Sequence, residues 1–148
     1  MFNLQLKSRS FILCFATLFL AGGISCDKEA KAKEHSAKAD AFQKQGDLDS
    51  AIKELSKAIK FDPTNHGYHN QRGGMYAAQG KIDLGIVDVT KAIELCEDTH
   101  GKGVYYSVRC IMYNGKGDNV KAEADFDSAK RAGVNPYDVM KHLNTKSK

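Results

Sequence analysis

Apolar side chains recur at helical spacing along most of this chain. Between residues 48 and 59 they fall three, four and one positions apart, which places them on one side of a helix. Asp62–Pro63 ends this helix, because the residue before a proline is disfavoured in the helical conformation. No run of strand-like alternation is present, so the pattern predicts an all-α protein. The stripe consists of Leu48, Ala51, Ile52, Leu55, Ala58 and Ile59.

Glycines separate the predicted helices at a repeating interval. Gly46, Gly80 and Gly117 each precede a stretch with alanine at helical spacing, and they lie 34 and then 37 residues apart. Gly46 suits the left-handed turn that ends a helix, and Asp47 suits the N-cap of the next helix. The interval indicates three stacked helix–turn–helix units.

The three copies share small and aromatic residues at matching places, and on these the chain resembles the tetratricopeptide repeat family over residues 32–136. The first helices match less well, since His35, Lys38 and Ala39 stand where the family pattern has Trp, Leu and Gly. The matching residues are Ala51, Leu55, Ala58 and Pro63, then Gly73, Tyr76, Gly85, Val89 and Ala92, then Tyr106, Tyr113, Ala122, Phe126 and Ala129.

The resemblance implies a right-handed α–α superhelix of three tetratricopeptide units followed by a short C-terminal capping helix. The units span residues 32–65, 66–99 and 103–136, and residues 100–102 are expected as a linker extension. Residues 137–148 are expected to form the capping helix and a basic tail, because a terminal unit needs a cover.

The N-terminus has a different pattern. Lys7 and Arg9 precede an uncharged run over residues 11–25 that ends in small residues. This pattern predicts a secretory signal over residues 1–25, since a membrane span needs about 20 apolar residues.

Cys26 directly follows the uncharged run, as in the signals of bacterial lipoproteins, in which this cysteine is acylated. Residues 26–31 would then be a short tether. Gly23 stands where that pattern favours leucine, so three alternatives remain: a lipoprotein, soluble export after cleavage at Gly23, and an uncleaved anchor. Whether the inner or the outer membrane receives the chain is also open.

Composition excludes several kinds of function. The formal net charge is +4, and without Lys7 and Arg9 there remain 20 basic and 18 acidic side chains. This balance does not give the clustered basic face that nucleic-acid binding requires. No nucleophile signature or phosphate loop is present, and His66 and His69 are expected to be structural. We therefore expect no enzyme, no cofactor and no metal.

Two cysteines beyond Cys26 also bear on the fold. Cys96 and Cys110 are expected to be buried free thiols or, alternatively, a disulfide. Their positions in the repeat place the two Cα atoms too far apart for easy pairing, which favours free thiols.

The resemblance also implies that the first helices line a concave groove for a peptide or protein partner. Gly74 would let a partner backbone approach closely or, alternatively, is a tolerated local weakness in its helix. The expected partner-binding residues are Lys33, Ser36, Asp40, Gln43, Asn70, Gly74, Ala77, Val104, Ser107, Ile111 and Asn114.

One ligand class is disfavoured by the same resemblance. Tetratricopeptide domains that grip chaperone C-termini use Lys, Asn and Arg side chains to hold a terminal carboxylate. The corresponding places here hold Ser36, Asp40, Gln71, Val104 and Val108.

We expect a non-enzymatic scaffold for protein–protein interaction, exported and lipid-anchored through Cys26 on the periplasmic side of a bacterial cell envelope. A soluble periplasmic or secreted protein is the alternative location. The alternative function is a structural accessory subunit of a larger envelope assembly, such as a pilus or the outer-membrane machinery.

Overall fold

The computed structural model describes the backbone of residues 8–145 and the side chains of residues 26–142. This part of the chain contains seven α-helices and no strand, which confirms the all-α prediction. The whole predicted signal segment 1–25 and residues 143–148 of the tail therefore lie outside the residues described in full. The helices are α1 (Ser8–Lys44), α2 (Leu48–Phe61), α3 (His66–Ala78), α4 (Ile82–Leu95), α5 (Thr99–Lys116), α6 (Asn119–Arg131) and α7 (Pro136–Thr145).

The helices pair as the repeat predicts. α1 packs on α2, α3 on α4 and α5 on α6, while α2–α3 and α4–α5 contacts join successive units. α7 packs mainly on α5 and covers the end of the stack. The result is a superhelix of three units with a capping helix, as expected. None of the described helices combines the length and the apolar character that a membrane crossing requires.

One turn geometry recurs four times. Gly46, Gly80, Gly117 and Gly133 all have φ between +75° and +80°. Each of these turns has the same pair of backbone hydrogen bonds; at the first, the Gly46 N–H donates to Gln43 and the next N–H donates to Phe42. This is the Schellman motif, which glycine accommodates without steric conflict. The Asp47 carboxylate then caps α2 by accepting from the Ser50 N–H at 3.0 Å, as the sequence predicted.

Two segments expected outside the helices are helical. Residues 26–31, expected as a tether, continue α1 without a break, and the Glu29–Lys33 ion pair at 2.8 Å supports this turn. Residues 100–102, expected as a linker extension, form the first turn of α5, because Asp98 caps the helix by accepting from the Gly101 N–H. The first helix of the third unit is therefore longer than predicted.

Apolar residues from the first and second helices of the units form two core clusters. The first joins α1, α2 and α3 around Leu55, which is fully buried, with Tyr68 and Met75 packed beside it. The second joins α4 and α5 around Val89 and Met112. Each cluster spans two units, so a unit relies on its neighbour for part of its core.

The candidate partner-binding groove

The first helices of the three units, α1, α3 and α5, carry the predicted groove residues on a mostly accessible surface. Ser36, Asn70, Ala77, Val104 and Ile111 are half-buried. The exposed members are Lys33, Asp40, Gln43, Gly74 and Asn114. A polar first unit, a small-residue middle and a partly apolar third unit thus follow one another along the groove.

Ser107 is the exception, and its assignment to the groove surface is wrong. Its side chain is fully buried, and its hydroxyl donates to the Gly103 carbonyl at 2.9 Å within α5. α4, α6 and α7 all pack on α5, which leaves less of this helix accessible than of α1 or α3. A partner cannot reach this hydroxyl, so Ser107 serves packing.

Two polar contacts join neighbouring helices along the groove. The Gln71 side-chain amide of α3 donates to the Asp40 carboxylate of α1. At the start of α3, His66 Nδ1 lies 2.7 Å from the Tyr105 hydroxyl of α5, and the two rings are 5.6 Å apart. Burial raises the pKa of Tyr105, which keeps its hydroxyl protonated. These contacts fix the spacing of the three helices that line the groove.

Adjacent glycines in α3 face different surroundings. A Cβ added to Gly73 would lie 2.9 Å from the Gly85 carbonyl oxygen and 2.9 Å from Val89 Cγ2, so this glycine allows α3 and α4 to approach closely. A Cβ added to Gly74 would meet no atom within 4 Å, and Gly74 is exposed. Packing therefore requires glycine at position 73 and does not require it at position 74.

Asn70 lies one helical turn before Gly74 and is incompletely satisfied. Its side-chain oxygen Oδ1 is buried and accepts no hydrogen bond from another described residue. An unsatisfied buried polar atom costs about 1–3 kcal/mol. The protein recovers this free energy if the side chain turns to meet a donor on a bound segment.

Ion pairs behind the groove connect the two helices within each of the later units. Arg72 of α3 donates to both Asp88 carboxylate oxygens of α4 at 2.7 Å, and its Nη1 donates to Ser56 of the preceding unit at 3.0 Å. The hydrogen bonds to Asp88 raise the pKa of Arg72, although burial opposes this. The fork geometry of arginine suits such a two-oxygen contact.

The third unit repeats this arrangement. Arg109 donates to both Asp125 oxygens at 2.7 and 2.8 Å, and its Nη1 donates to Thr90 of the preceding unit at 2.9 Å. Both aspartates are buried, with side chains 7% exposed. Each arginine therefore binds its own unit and the unit before it.

The first unit uses different residues at the corresponding place. Glu54 of α2 pairs with His35 of α1 at 2.7 Å and with Lys57 at 2.6 Å. The Lys57 hydrogen bond and then that of His35 lower the pKa of Glu54 below its usual 4.5, although burial opposes this. The first unit thus joins its two helices without the arginine fork of the later units.

Sequence reasoning missed these ion pairs because it followed the apolar and small residues of the repeat. A signal was present, since Arg72 and Arg109 occupy the same place in their units, as do Asp88 and Asp125. The His66–Tyr105 contact had no such signal, because it joins residues that lie 39 positions apart and differ in repeat position.

Cysteines and histidines give no reactive centre among the residues described. Cys96 and Cys110 are buried free thiols, in agreement with the favoured expectation, and burial raises the pKa of Cys110. Nowhere in the described part of the chain do three His, Cys, Asp or Glu side chains converge as metal ligands would. His69 is buried, with Nδ1 3.5 Å from Asp88 and Nε2 3.3 Å from the Pro63 carbonyl oxygen.

Comparisons with known proteins agree with this architecture. Residues 39–80 match a family model described as a TPR repeat. No curated protein sequence matches the chain.

Solved structures resemble the chain over most of its length. The N-terminal domain of stress-induced protein-1 (STI-1) from C. elegans is 21% identical, with a TM-score of 0.71 over 82% of this chain and 98% of that domain. The first TPR domain of Spaghetti (RPAP3), bound to the HSP90 peptide SRMEEVD, is 23% identical, with a TM-score of 0.67 over 80% of this chain and 92% of the other. MamA is 21% identical, with a TM-score of 0.65 over 70% of this chain and 58% of MamA. The chain therefore contains a tetratricopeptide repeat at residues 39–80 and has the tetratricopeptide repeat fold around it.

Proposed function

We propose that this protein is a non-enzymatic scaffold that binds an extended segment of a protein partner in its concave groove. The observation that carries the proposal is Gly74, an exposed mid-helix glycine with open space where a Cβ would lie. Such a glycine costs a helix about 1 kcal/mol relative to alanine. Packing offers no compensation at this position, whereas the close approach of a partner backbone would.

The neighbourhood of Gly74 fits an extended peptide. Asn70 is half-buried, and its Oδ1, which is buried without a donor in this conformation, becomes an acceptor for a partner once the side chain turns outward. A peptide backbone supplies such a donor, since it carries an N–H at every residue except proline. Val104 and Ile111 in the third unit offer partly exposed apolar surface for side chains of the same segment. Solved relatives with this fold include domains bound to HSP90 and Hsp70 peptides, which supports a peptide-binding role.

The ligand itself differs from those chaperone peptides. Asp40 stands where a terminal carboxylate would be held, and its negative charge would repel one. Val104 and Val108 replace cations at the far end of the same site. The acidic peptide SRMEEVD should therefore fail to bind this protein.

We also propose that the protein is exported and lipid-anchored through Cys26, facing the periplasm of a bacterial cell envelope. The anchor rests on the sequence pattern, and Cys26 is an exposed free cysteine near the start of the fully described part of α1. Labelling with a fatty-acid analogue should mark the wild-type protein and leave Cys26→Ser unmarked. Equal labelling of both proteins would rule out this anchor.

Isolation of the full-length tagged protein from the cells that make it tests the groove. Proteins that co-purify with the wild type should fall at least tenfold for Gly74→Leu, because leucine favours a helix yet fills the space above α3. Val87→Lys, a change on the outward face of α4, is the matched control and should retain them. Retention by Gly74→Leu would contradict binding over this surface.

A second candidate function is supported by the outward face of α4. Leu84 and Val87 are 49% and 66% exposed, whereas the corresponding places hold Ser50 and Lys53 in α2 and Lys121 and Ala124 in α6. An apolar pair of this kind suits an accessory subunit that packs into a larger envelope assembly. Loss of the co-purifying proteins from Val87→Lys, with retention by Gly74→Leu, would favour this alternative.

A further inference from the structure

The third unit has a cavity where the first unit has an aromatic ring. In the first unit the Phe61 ring stacks on His35 at 5.5 Å, nearly parallel, with Lys31 Nζ 5.8 Å from its centre. The second unit has Leu95 at the place of Phe61, and the third unit has Ala132. Lys102 and Tyr106 keep the places of Lys31 and His35.

Because Ala132 stands where the first unit has Phe61, space remains between α5 and α6. A cavity of about 280 Å³ opens there, lined by Thr99, Lys102, Tyr106, Ser128, Arg131 and Ala132. It lies near the start of α5 and the end of α6, away from the predicted groove residues.

The cavity carries positive charge without a counter-ion. Among the residues with described side chains, no carboxylate forms an ion pair with Lys102 or Arg131, and Arg131 donates only to Ser128 Oγ at 3.1 Å. Lys102 is half-buried, so its charge is less exposed to water than that of an ordinary surface lysine. The hydroxyls of Thr99 and Tyr106 are without partners among the same residues.

We infer that this cavity binds a flat ring that carries a phosphate group. The ring takes the place that Phe61 fills in the first unit, between an ammonium group and an aromatic face. The phosphate lies against Lys102 and Arg131, and the hydroxyls of Thr99 and Tyr106 supply further donors, since the Ser128 hydroxyl already donates to the Ala124 carbonyl at 2.8 Å. Two cations match the charge of about −2 on a phosphate monoester better than the single charge of a carboxylate, which favours phosphate.

Phenyl phosphate is the simplest probe of this site, and NMR of the ¹⁵N-labelled full-length protein follows it at constant ionic strength. We expect saturable shifts at the amides of Thr99, Lys102 and Arg131, with binding at least tenfold tighter than for inorganic phosphate, phenol or benzoate. A short peptide with a phosphotyrosine is run in parallel. Tighter binding of that peptide would identify a protein side chain as the source of the ring, and equal or weaker binding would identify a small molecule.

Three variants distinguish binding in the cavity from non-specific attraction to surface cations. Ala132→Leu restores the residue of the second unit and fills the cavity, and Arg131→Gln removes an exposed cation; each should weaken phenyl phosphate binding at least tenfold. Lys130→Gln removes a neighbouring cation outside the cavity and should leave binding unchanged. Shifts that do not saturate, that persist in Ala132→Leu or that benzoate reproduces at equal concentration would overturn the inference.

Discussion

Gly73 and Gly74 are neighbours in one helix, yet they belong to two different regions of the molecule. Gly73 lies in the seam between α3 and α4, where the backbones touch and Arg72 pairs with Asp88. Gly74 lies on the groove surface, where no atom is near enough to constrain it. The seam is specified by packing and charge, and the groove surface is not.

The difference shows how the repeat divides its residues between structure and binding. Residues in the seam recur in the second and third units because the two helices of each unit pack together in the same way. The ion pairs Arg72–Asp88 and Arg109–Asp125 illustrate this. Groove positions differ in each unit because the fold leaves them unconstrained. Substitutions in the two regions should therefore have effects of opposite kinds.

The largest expected effect comes from breaking a seam ion pair. Arg109→Met should lower the free energy of unfolding by about 3 kcal/mol, because it leaves the buried Asp125 carboxylate without its partner. Urea denaturation followed by circular dichroism measures this change. The double variant Arg109→Met, Asp125→Leu should recover most of the loss, because it removes the unpaired buried carboxylate. If stability is not recovered, the ion pair itself contributes to the stability of the fold.

Gly73→Ala is expected to destabilise the protein by a smaller amount. The added methyl group would meet the Gly85 carbonyl oxygen and Val89, an overpacking that costs about 1–3 kcal/mol. The helix propensity of alanine returns roughly 1 kcal/mol of this. Thermal or urea denaturation should show a net decrease in the free energy of unfolding. A net increase would show that α3 and α4 can accommodate the added methyl group without strain.

Gly74→Ala should have the opposite sign. With no atom near the added methyl group, helix propensity alone acts, and the free energy of unfolding should rise by about 1 kcal/mol. The same denaturation experiment on both glycine variants provides the comparison. If Gly74→Ala destabilises the protein, the groove surface contributes to folding and the division between the two regions fails.

The smallest effect concerns the first unit, where Glu54 replaces the aspartate of the later units. Its pKa is lower in the folded protein than its usual 4.5, so the unfolded chain binds the proton more readily. This contribution to stability is present above pH 4.5 and is lost as the pH falls through the folded-state pKa. The stability difference between wild type and Glu54→Gln should therefore narrow on acidification, and a constant difference would show that the Glu54 charge is not involved.

Much of the fold could be predicted from the sequence, because its determinants are local. The Gly46 turn, the Asp47 cap and the end of α2 before Pro63 each depend on a few adjacent residues. The first turn of α5 was missed because Asp98 caps it earlier than the repeat register implies. The burial of Ser107 was missed because it depends on how three other helices cover α5.

The positions of the candidate groove residues along their helices could be predicted from the sequence, but the side-chain contacts between these helices could not. The register predicted that Asn70 and Gly74 share one face of α3, and Gly74 is exposed there while Asn70 is half-buried. Their role in binding a partner stays a prediction. The links Gln71–Asp40 and His66–Tyr105 depend on side-chain conformations across helices, which no spacing encodes. The cavity beside Tyr106 depends on how α5 and α6 pack around Ala132, which no local sequence pattern encodes.

Photo-crosslinking in the cells that make the protein tests the central claim most directly. A photoreactive amino acid is placed at position 74 in one version and at position 87, on the outward face of α4, in the other. The groove proposal predicts a discrete crosslinked protein from position 74 that is absent from position 87. Crosslinks from position 87 alone would contradict it and assign the interaction to the outer surface.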